Sequence, residues 1–254
     1  ERGHYNPAAI DDKFSKGVYK EYIEALDPSK RFFLQSDIDE FSKYETQIDN
    51  EILNKDLTFF NLTYDRLMLR IDESKSFYKE ILDKPFDYNI QEDFNTDYEK
   101  LPYAKNKIEL KEKWRKQIKL STLSSLTDKI EIQENLKNGV VKEKVEEEET
   151  SEGLTKSISL DVEENKAKSA TPEKEKTLVE LEIETRESSL KSLNQYFEFV
   201  NELDKDDWFS VYINAIAAGF DPHTNYFPAD EKERFDVSMS GKLEGIGAKL
   251  QKKN

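Results

Sequence analysis

Apolar residues return every three or four positions along most of this chain, the spacing of amphipathic helices. Ile10, Phe14, Val18 and Tyr22 predict a first helix. Asn6-Pro7 suits its start, since Asn accepts free amides and Pro fits the first helical position. Asp27-Pro28 ends it after Leu26, because the residue before proline is pushed out of the α region. Ser36 restarts the pattern: Ser36 and Asp39 stand at capping-box spacing, and Asp37 adds negative charge near the helix N-terminus. Ile38, Phe41, Tyr44, Ile48 and Ile52 then form one 3-4 stripe. Phe60, Tyr64, Leu67, Ile71 and Tyr78 continue to about Leu82. We read two helices here, parted at Asn54-Lys55-Asp56 with Asp56 as cap, although one long helix also fits.

Lys84-Pro85 breaks the pattern, and Phe86, Tyr88, Phe94 and Tyr98 follow without a period, as in an irregular segment pinned by its aromatics. A helix resumes from Tyr103 with Leu110, Trp114 and Ile118 on one face, and runs past Leu126 and Ile130 to about Leu136, where Asn138-Gly139 suits a left-handed cap. Residues 140–171 carry four consecutive glutamates, Glu146 to Glu149, and no aromatic residue. Such a stretch buries too little apolar surface to offset its ordering entropy and is expected to be a flexible acidic insertion. Thr171-Pro172 restarts a helix whose apolar positions include Leu178, Leu181, Leu190, Leu193, Phe197 and Val200. After Asp204–Asp207, Trp208, Val211, Tyr212, Ala215 and Ile216 make a last short helix, with Gly219 and Phe220 as a Schellman stop.

One segment occurs twice. Leu26-Asp27-Pro28 followed by Phe32-Phe33 is echoed by Phe220-Asp221-Pro222 followed by Tyr226-Phe227, with a cap at the same offset, Ser36 or Asp230. Both copies read as helix, Asp-Pro turn, paired aromatics, helix, and the aromatic pairs are expected to plug the cleft between the helices they join. Beyond the second copy, Gly245-Ile246-Gly247 leads into what reads as a strand, and the chain ends too soon after it for a domain. The expectation is an all-α, multi-helix domain over residues 1–237, with the first piece of a second domain over 238–254.

Composition narrows the chemistry. The 254 residues carry a net charge of -15, which disfavours a phosphate-tracking, nucleic-acid-binding role. There is no cysteine, hence no disulfide or thiolate site, and the two histidines, His4 and His223, lie far apart, which argues against a zinc site. No cofactor and no metal are expected. No apolar run approaches the ~18 residues of a membrane helix. Asp37/Asp39/Glu40 and Asp204/Asp206/Asp207 are accounted for by capping, and His223 by a turn. Gly245-Ile246-Gly247 lacks the rest of a nucleotide loop, but successive amides there can form a nest for a carboxylate, with an extended peptide added to the strand edge that follows.

The run Phe220-Asp221-Pro222-His223-Thr224-Asn225-Tyr226-Phe227, then Met239-Ser240, then Leu243-Glu244-Gly245-Ile246-Gly247-Ala248, resembles the junction into the PDZ domain of carboxy-terminal processing, or tail-specific, proteases. Leu26-Asp27-Pro28 with Phe32-Phe33-Leu34-Gln35-Ser36-Asp37, Asp83-Lys84-Pro85-Phe86-Asp87 and Trp114-Arg115 resemble the helical N-terminal domain of the long bacterial periplasmic form. The resemblance implies a periplasmic serine endopeptidase that engages nonpolar protein C-termini in its PDZ domain and cleaves with a Ser/Lys dyad. It implies that Gly245, Ile246, Gly247 and Ala248 offer amides to a terminal carboxylate, with Leu243 or Leu250 packing nearby. The dyad lies well downstream in the family, so no catalytic residue is expected in this chain and the chain alone should be inactive. In the family the helical domain helps enclose the PDZ and protease domains, and in some members it docks an adaptor lipoprotein. A second reading, of another class, is a stand-alone helical adaptor that binds partners through its aromatic corners or acidic insertion.

Overall fold

A computed structural model of the chain describes residues 9–137, 175–228 and 232. The described residues form seven α-helices and one 3-10 turn joined by irregular segments, with an isolated parallel bridge between Leu34 and Ala104. The expected cap at Asn6-Pro7, the stop at Asn138-Gly139, the acidic stretch 140–171, the restart at Thr171-Pro172, the cap at Asp230 and the strand after Gly245 lie outside the described residues.

Helix α1 (Asp12–Leu26) starts at Asp11, whose carboxylate accepts the Phe14 N–H. Its four-residue stripe is the buried one: Phe14, Val18 and Tyr22 all lie in the core. The single helix expected from Ser36 to Ile52 is instead broken into α2 (Gln35–Phe41), a 3-10 turn (Ser42–Tyr44) and α3 (Ile48–Asn54). The break has a physical cause. Asp49 accepts from the Ser15 hydroxyl at 2.8 Å and its own N–H donates back to that oxygen at 2.8 Å, which pulls α3 onto α1. Phe41 meanwhile stays against Phe33, so one straight rod cannot satisfy both ends. Lys55 closes α3 in the left-handed region, at φ 57.

The turn at 54–56 does divide two helices, and Asp56 accepts the N–H groups of Leu57 and Thr58. The Glu51 carboxylate accepts the next one, from Phe59. Helix α4 (Thr58–Leu82) is then the central rod, about 37 Å long at the usual rise. It packs against α2, α5 (Lys107–Lys137), α6 (Leu178–Glu202) and α7 (Lys205–Ala218). Helix α5 begins at Asn106, which accepts the Glu109 N–H. Helix α6 begins with a reciprocal Thr177–Glu180 capping box, and α7 with an Asp204–Asp207 one. Leu178 precedes the buried face of α6 and is exposed, whereas Leu181, Leu193, Phe197 and Val200 are buried.

The core is largely aromatic. Phe59 has the rings of Tyr19, Tyr22, Phe41, Tyr44 and Tyr212 around it, with centroids 5.5 to 6.5 Å away. With Phe59 itself, these rings come from α1, α2, the 3-10 turn, α4 and α7, so their contact locks those five parts together. A second stack, Tyr78–Phe197–Trp114, joins α4, α6 and α5.

The end of α7 differs from the expected Schellman stop. Gly219 is right-handed (φ -64, ψ -20), so no left-handed cap forms, and the N–H groups of Phe220 and Asp221 both donate to the Ala217 carbonyl. The reason for glycine is space. A Cβ at Gly219 would sit 2.7 Å from Phe14 Cε2, and that ring is held by Phe220 at 4.7 Å. Phe220 therefore folds onto α1. Gly219→Ala should lower stability by ~1–3 kcal/mol, the cost of forcing a Cβ against the buried Phe14 ring. Urea unfolding checks it, and a second change of Phe14→Leu should recover part of the loss.

Candidate functional site

The first Asp-Pro corner is the most organised loop among the described residues. Asp27, buried, turns its carboxylate inward. Oδ1 accepts the Arg31 N–H and Oδ2 accepts those of Phe32 and Phe33, each at 2.9 Å. Burial pushes this carboxyl above its usual range, opposed by the three amides and by Arg31. Pro28 fixes the turn, and Lys30 adopts φ 48, a left-handed conformation that brings its ammonium onto the carbonyls of Glu99 and Leu101 at 2.8 Å. The Gln35 N–H donates to the Ala104 carbonyl, and the Trp114 indole N–H donates to the Arg31 carbonyl at 2.8 Å. Phe33 is fully buried against Phe41, and Phe32 is buried against Trp114. The corner thus clamps α1, α2, α5 and the segment before α5 into one unit.

The second corner is built differently. Asp221 makes a local turn, accepting the His223 N–H and the Thr224 hydroxyl. Asn214 of α7 accepts the Tyr226 N–H at 2.7 Å, which lays the chain back along that helix. Tyr226 and Phe227 are 42% and 43% exposed, so the second pair does not plug a cleft as the echo had suggested. The difference lies in the aspartate: Asp27 is buried and gathers the amides of Arg31, Phe32 and Phe33, whereas Asp221 accepts from the nearby His223 N–H and Thr224 hydroxyl. Leu243, Gly245, Ile246, Gly247, Ala248 and Leu250 lie outside the described residues.

Behind the first corner lies an ion network that periodicity does not announce. Asp37, expected to add charge near the helix N-terminus, is fully buried, and its Oδ2 accepts the Leu34 N–H, so it caps α2 in place of Ser36. Arg70 donates to both its oxygens at 2.8 and 2.9 Å, and Arg66 donates to Oδ1. Glu40 pairs with Arg66, and Glu73 joins Arg70 to Lys107 of α5. The three acids and three bases balance. Burial alone would raise the Asp37 carboxyl, but Arg70, the Leu34 amide and Arg66 overcome it and hold it below the usual range. The available signal was Arg66 and Arg70 one turn apart on α4, beside its apolar stripe.

A smaller network ties down the irregular segment before α5. Glu92 pairs with Arg115 and with Lys119 at 2.5 Å, and Phe86, Tyr88, Phe94 and Tyr98 are all half-buried. The Arg115 and Lys119 hydrogen bonds hold the Glu92 carboxyl at about 2. Its folded value is depressed, so its contribution is present above the unfolded value of ~4.3 and is lost as pH falls toward about 2. Glu92→Gln should therefore flatten the pH dependence of stability in that window. Proteolysis within residues 84–102 should also accelerate in the variant at neutral pH, and limited digestion reads both effects.

Among the described residues no group of histidines and carboxylates forms a metal site, and no helix is long and apolar enough to cross a membrane. What the geometry offers is a packed helical unit with one heavily tied corner.

Comparison with known proteins agrees with that picture. The chain is 28% identical over 254 residues to the Tail-specific protease of Haemophilus influenzae, an alignment that covers 98% of this chain and 29% of that protein. The chain thus spans less than a third of its relative's length. The family described as the Tail specific protease N-terminal domain matches residues 1–230, a run that includes both Asp-Pro corners and every described helix. The chain belongs to the family of tail-specific protease N-terminal domains.

Proposed function

We propose that this chain is the helical, substrate-enclosing scaffold of a serine endopeptidase that recognises nonpolar protein C-termini through a PDZ domain and cleaves with a Ser/Lys dyad outside these residues. The observation that carries the reading is the unbroken family match over residues 1–230. The continuous aromatic core from α1 to α7 supports it, since a wall around a protease chamber must hold its shape. On this reading the PDZ domain starts near residue 238. Gly245, Ile246, Gly247 and Ala248 present amides to the substrate's terminal carboxylate, with Leu243 and Leu250 beside it. The protein acts in the periplasm, its partners are protein substrates and in some settings an adaptor lipoprotein, and no cofactor takes part.

A longer protein carrying this sequence should cleave a substrate with a free nonpolar C-terminus and act more slowly on its C-terminally amidated twin. Residues 1–254 alone should cleave neither. Equal cleavage of the two substrates, or genuine cleavage by the purified chain, overturns the proposal.

A further inference from the structure

Asn214 interrupts an otherwise apolar run in α7, from Val211 to Ala218. Asparagine is among the poorer helix formers, so local propensity does not explain it there. A contact outside the helix does. The Asn214 Oδ1 accepts the Tyr226 N–H at 2.7 Å, and its Nδ2 donates to the Tyr226 carbonyl at 3.4 Å. One half-buried side-chain amide thus faces both backbone groups of one residue, as the neighbouring strand of an antiparallel ladder would. The chain between them reverses after Gly219. There the Thr224 N–H donates to the Asp221 carbonyl at 3.0 Å, and the Asp221 carboxylate takes the His223 N–H and the Thr224 hydroxyl. Residues 222–227 are all exposed. The corresponding stretch at the first corner has Phe32, Phe33 and Leu34 buried, with their amides committed to Asp27 and Asp37.

A hydrogen bond between neutral groups near solvent contributes little net stability, because water replaces it when it breaks. Segments with few buried apolar contacts and exposed backbone bonds therefore open well below the global unfolding free energy. The opposite face of α7 is of the other kind: Tyr212 and Ala215 are buried, and the Tyr212 ring meets those of Tyr22, Phe59 and Phe60. We infer that Asn214 is a latch, and that residues 221–228 form a strap which opens as a unit while α7 stays docked. The fixed end of the strap is Phe220, whose ring lies 4.7 Å from that of Phe14. The latched end is Tyr226. Closed, the strap carries the chain back along α7; open, the chain leaves the helical unit from Phe220 instead. Asn214 sets the balance between these two exits. The inference stands apart from the protease reading, because it concerns how the helical unit holds its own outgoing segment.

The test is hydrogen exchange of the 254-residue chain, followed amide by amide by NMR. Asn214→Ala removes the side-chain amide and installs a strong helix former, so α7 should hold. The Tyr226 amide should then exchange about five- to tenfold faster, the effect of losing one or two neutral hydrogen bonds. The amides of Tyr22 and Tyr212 should keep their rates, and the melting temperature should not change. Cleavage by chymotrypsin after Tyr226 and Phe227 should accelerate in parallel. Asn214→Asp keeps an acceptor for the Tyr226 N–H and should leave that amide slower to exchange than Asn214→Ala does. An unchanged Tyr226 rate in Asn214→Ala overturns the inference, since the side chain would then hold nothing. Equal acceleration at Tyr22 and Tyr212 overturns it too, since strap and core would open together. So does an Asn214→Asp rate as fast as that of Asn214→Ala.

Discussion

Asp37→Ala is expected to destabilise the domain by about 3–5 kcal/mol, the cost of breaking a buried ion pair and leaving Arg66 and Arg70 with one carboxylate each. The carboxylate is fully buried, bridges two arginines of α4 and caps α2 at the Leu34 amide. Removing it leaves Arg70, which is 10% exposed, with Glu73 as its one remaining carboxylate in the network, and frees the first turn of α2 at the same time. Chemical denaturation measures the loss. A second change separates ion pairing from mere packing. Arg70→Met in the Asp37→Ala background should restore part of the stability, because an apolar replacement of both partners avoids the under-paired charge. A strictly additive double variant would show that the two residues are not coupled. The sign with pH follows from the depressed carboxyl. The unmodified protein keeps this stabilisation above the unfolded aspartate value of ~3.9 and loses it in acid. The difference between the two proteins should therefore shrink as pH falls below that value.

Asp37 also marks where sequence reading reached its limit. Helix positions follow from apolar spacing, and the stripes of α1, α4 and α5 are the buried faces of the structure. Spacing cannot tell a capping acid in solvent from one folded under its neighbours. That depends on Arg66 and Arg70, about thirty residues away and brought close only by the α2–α4 contact. The missed break between α2 and α3 has the same origin, since the Ser15–Asp49 pair that bends the chain is long-range. Gly219 illustrates the opposite case. The position was legible as a helix end, but the glycine answers to a phenylalanine two hundred residues earlier and not to the local backbone. Arg31, held among the rings of Phe32, Trp114 and Tyr196, lies inside a motif legible for its aspartate and aromatics. Its cage needs α5 and α6 in place before it exists.

The two Asp-Pro corners should respond unequally to the same substitution. Phe33 is 0% exposed and meets Phe41 edge-on at 5.2 Å, inside the contact that joins α1, α2 and α4. Phe33→Ala should therefore cost about 3–5 kcal/mol, as large aromatic truncations in filled cores do. Phe227, its counterpart at the same offset, is 43% exposed, so Phe227→Ala has only about 1–2 kcal/mol of burial to lose. Melting curves for the two variants, recorded side by side, decide the matter. A large loss at Phe33 with a small one at Phe227 follows if the first corner is a structural clamp and the second a surface turn. Equal losses would mean that the second aromatic pair is buried in solution as deeply as the first, and that the sequence echo reports a shared packing role after all.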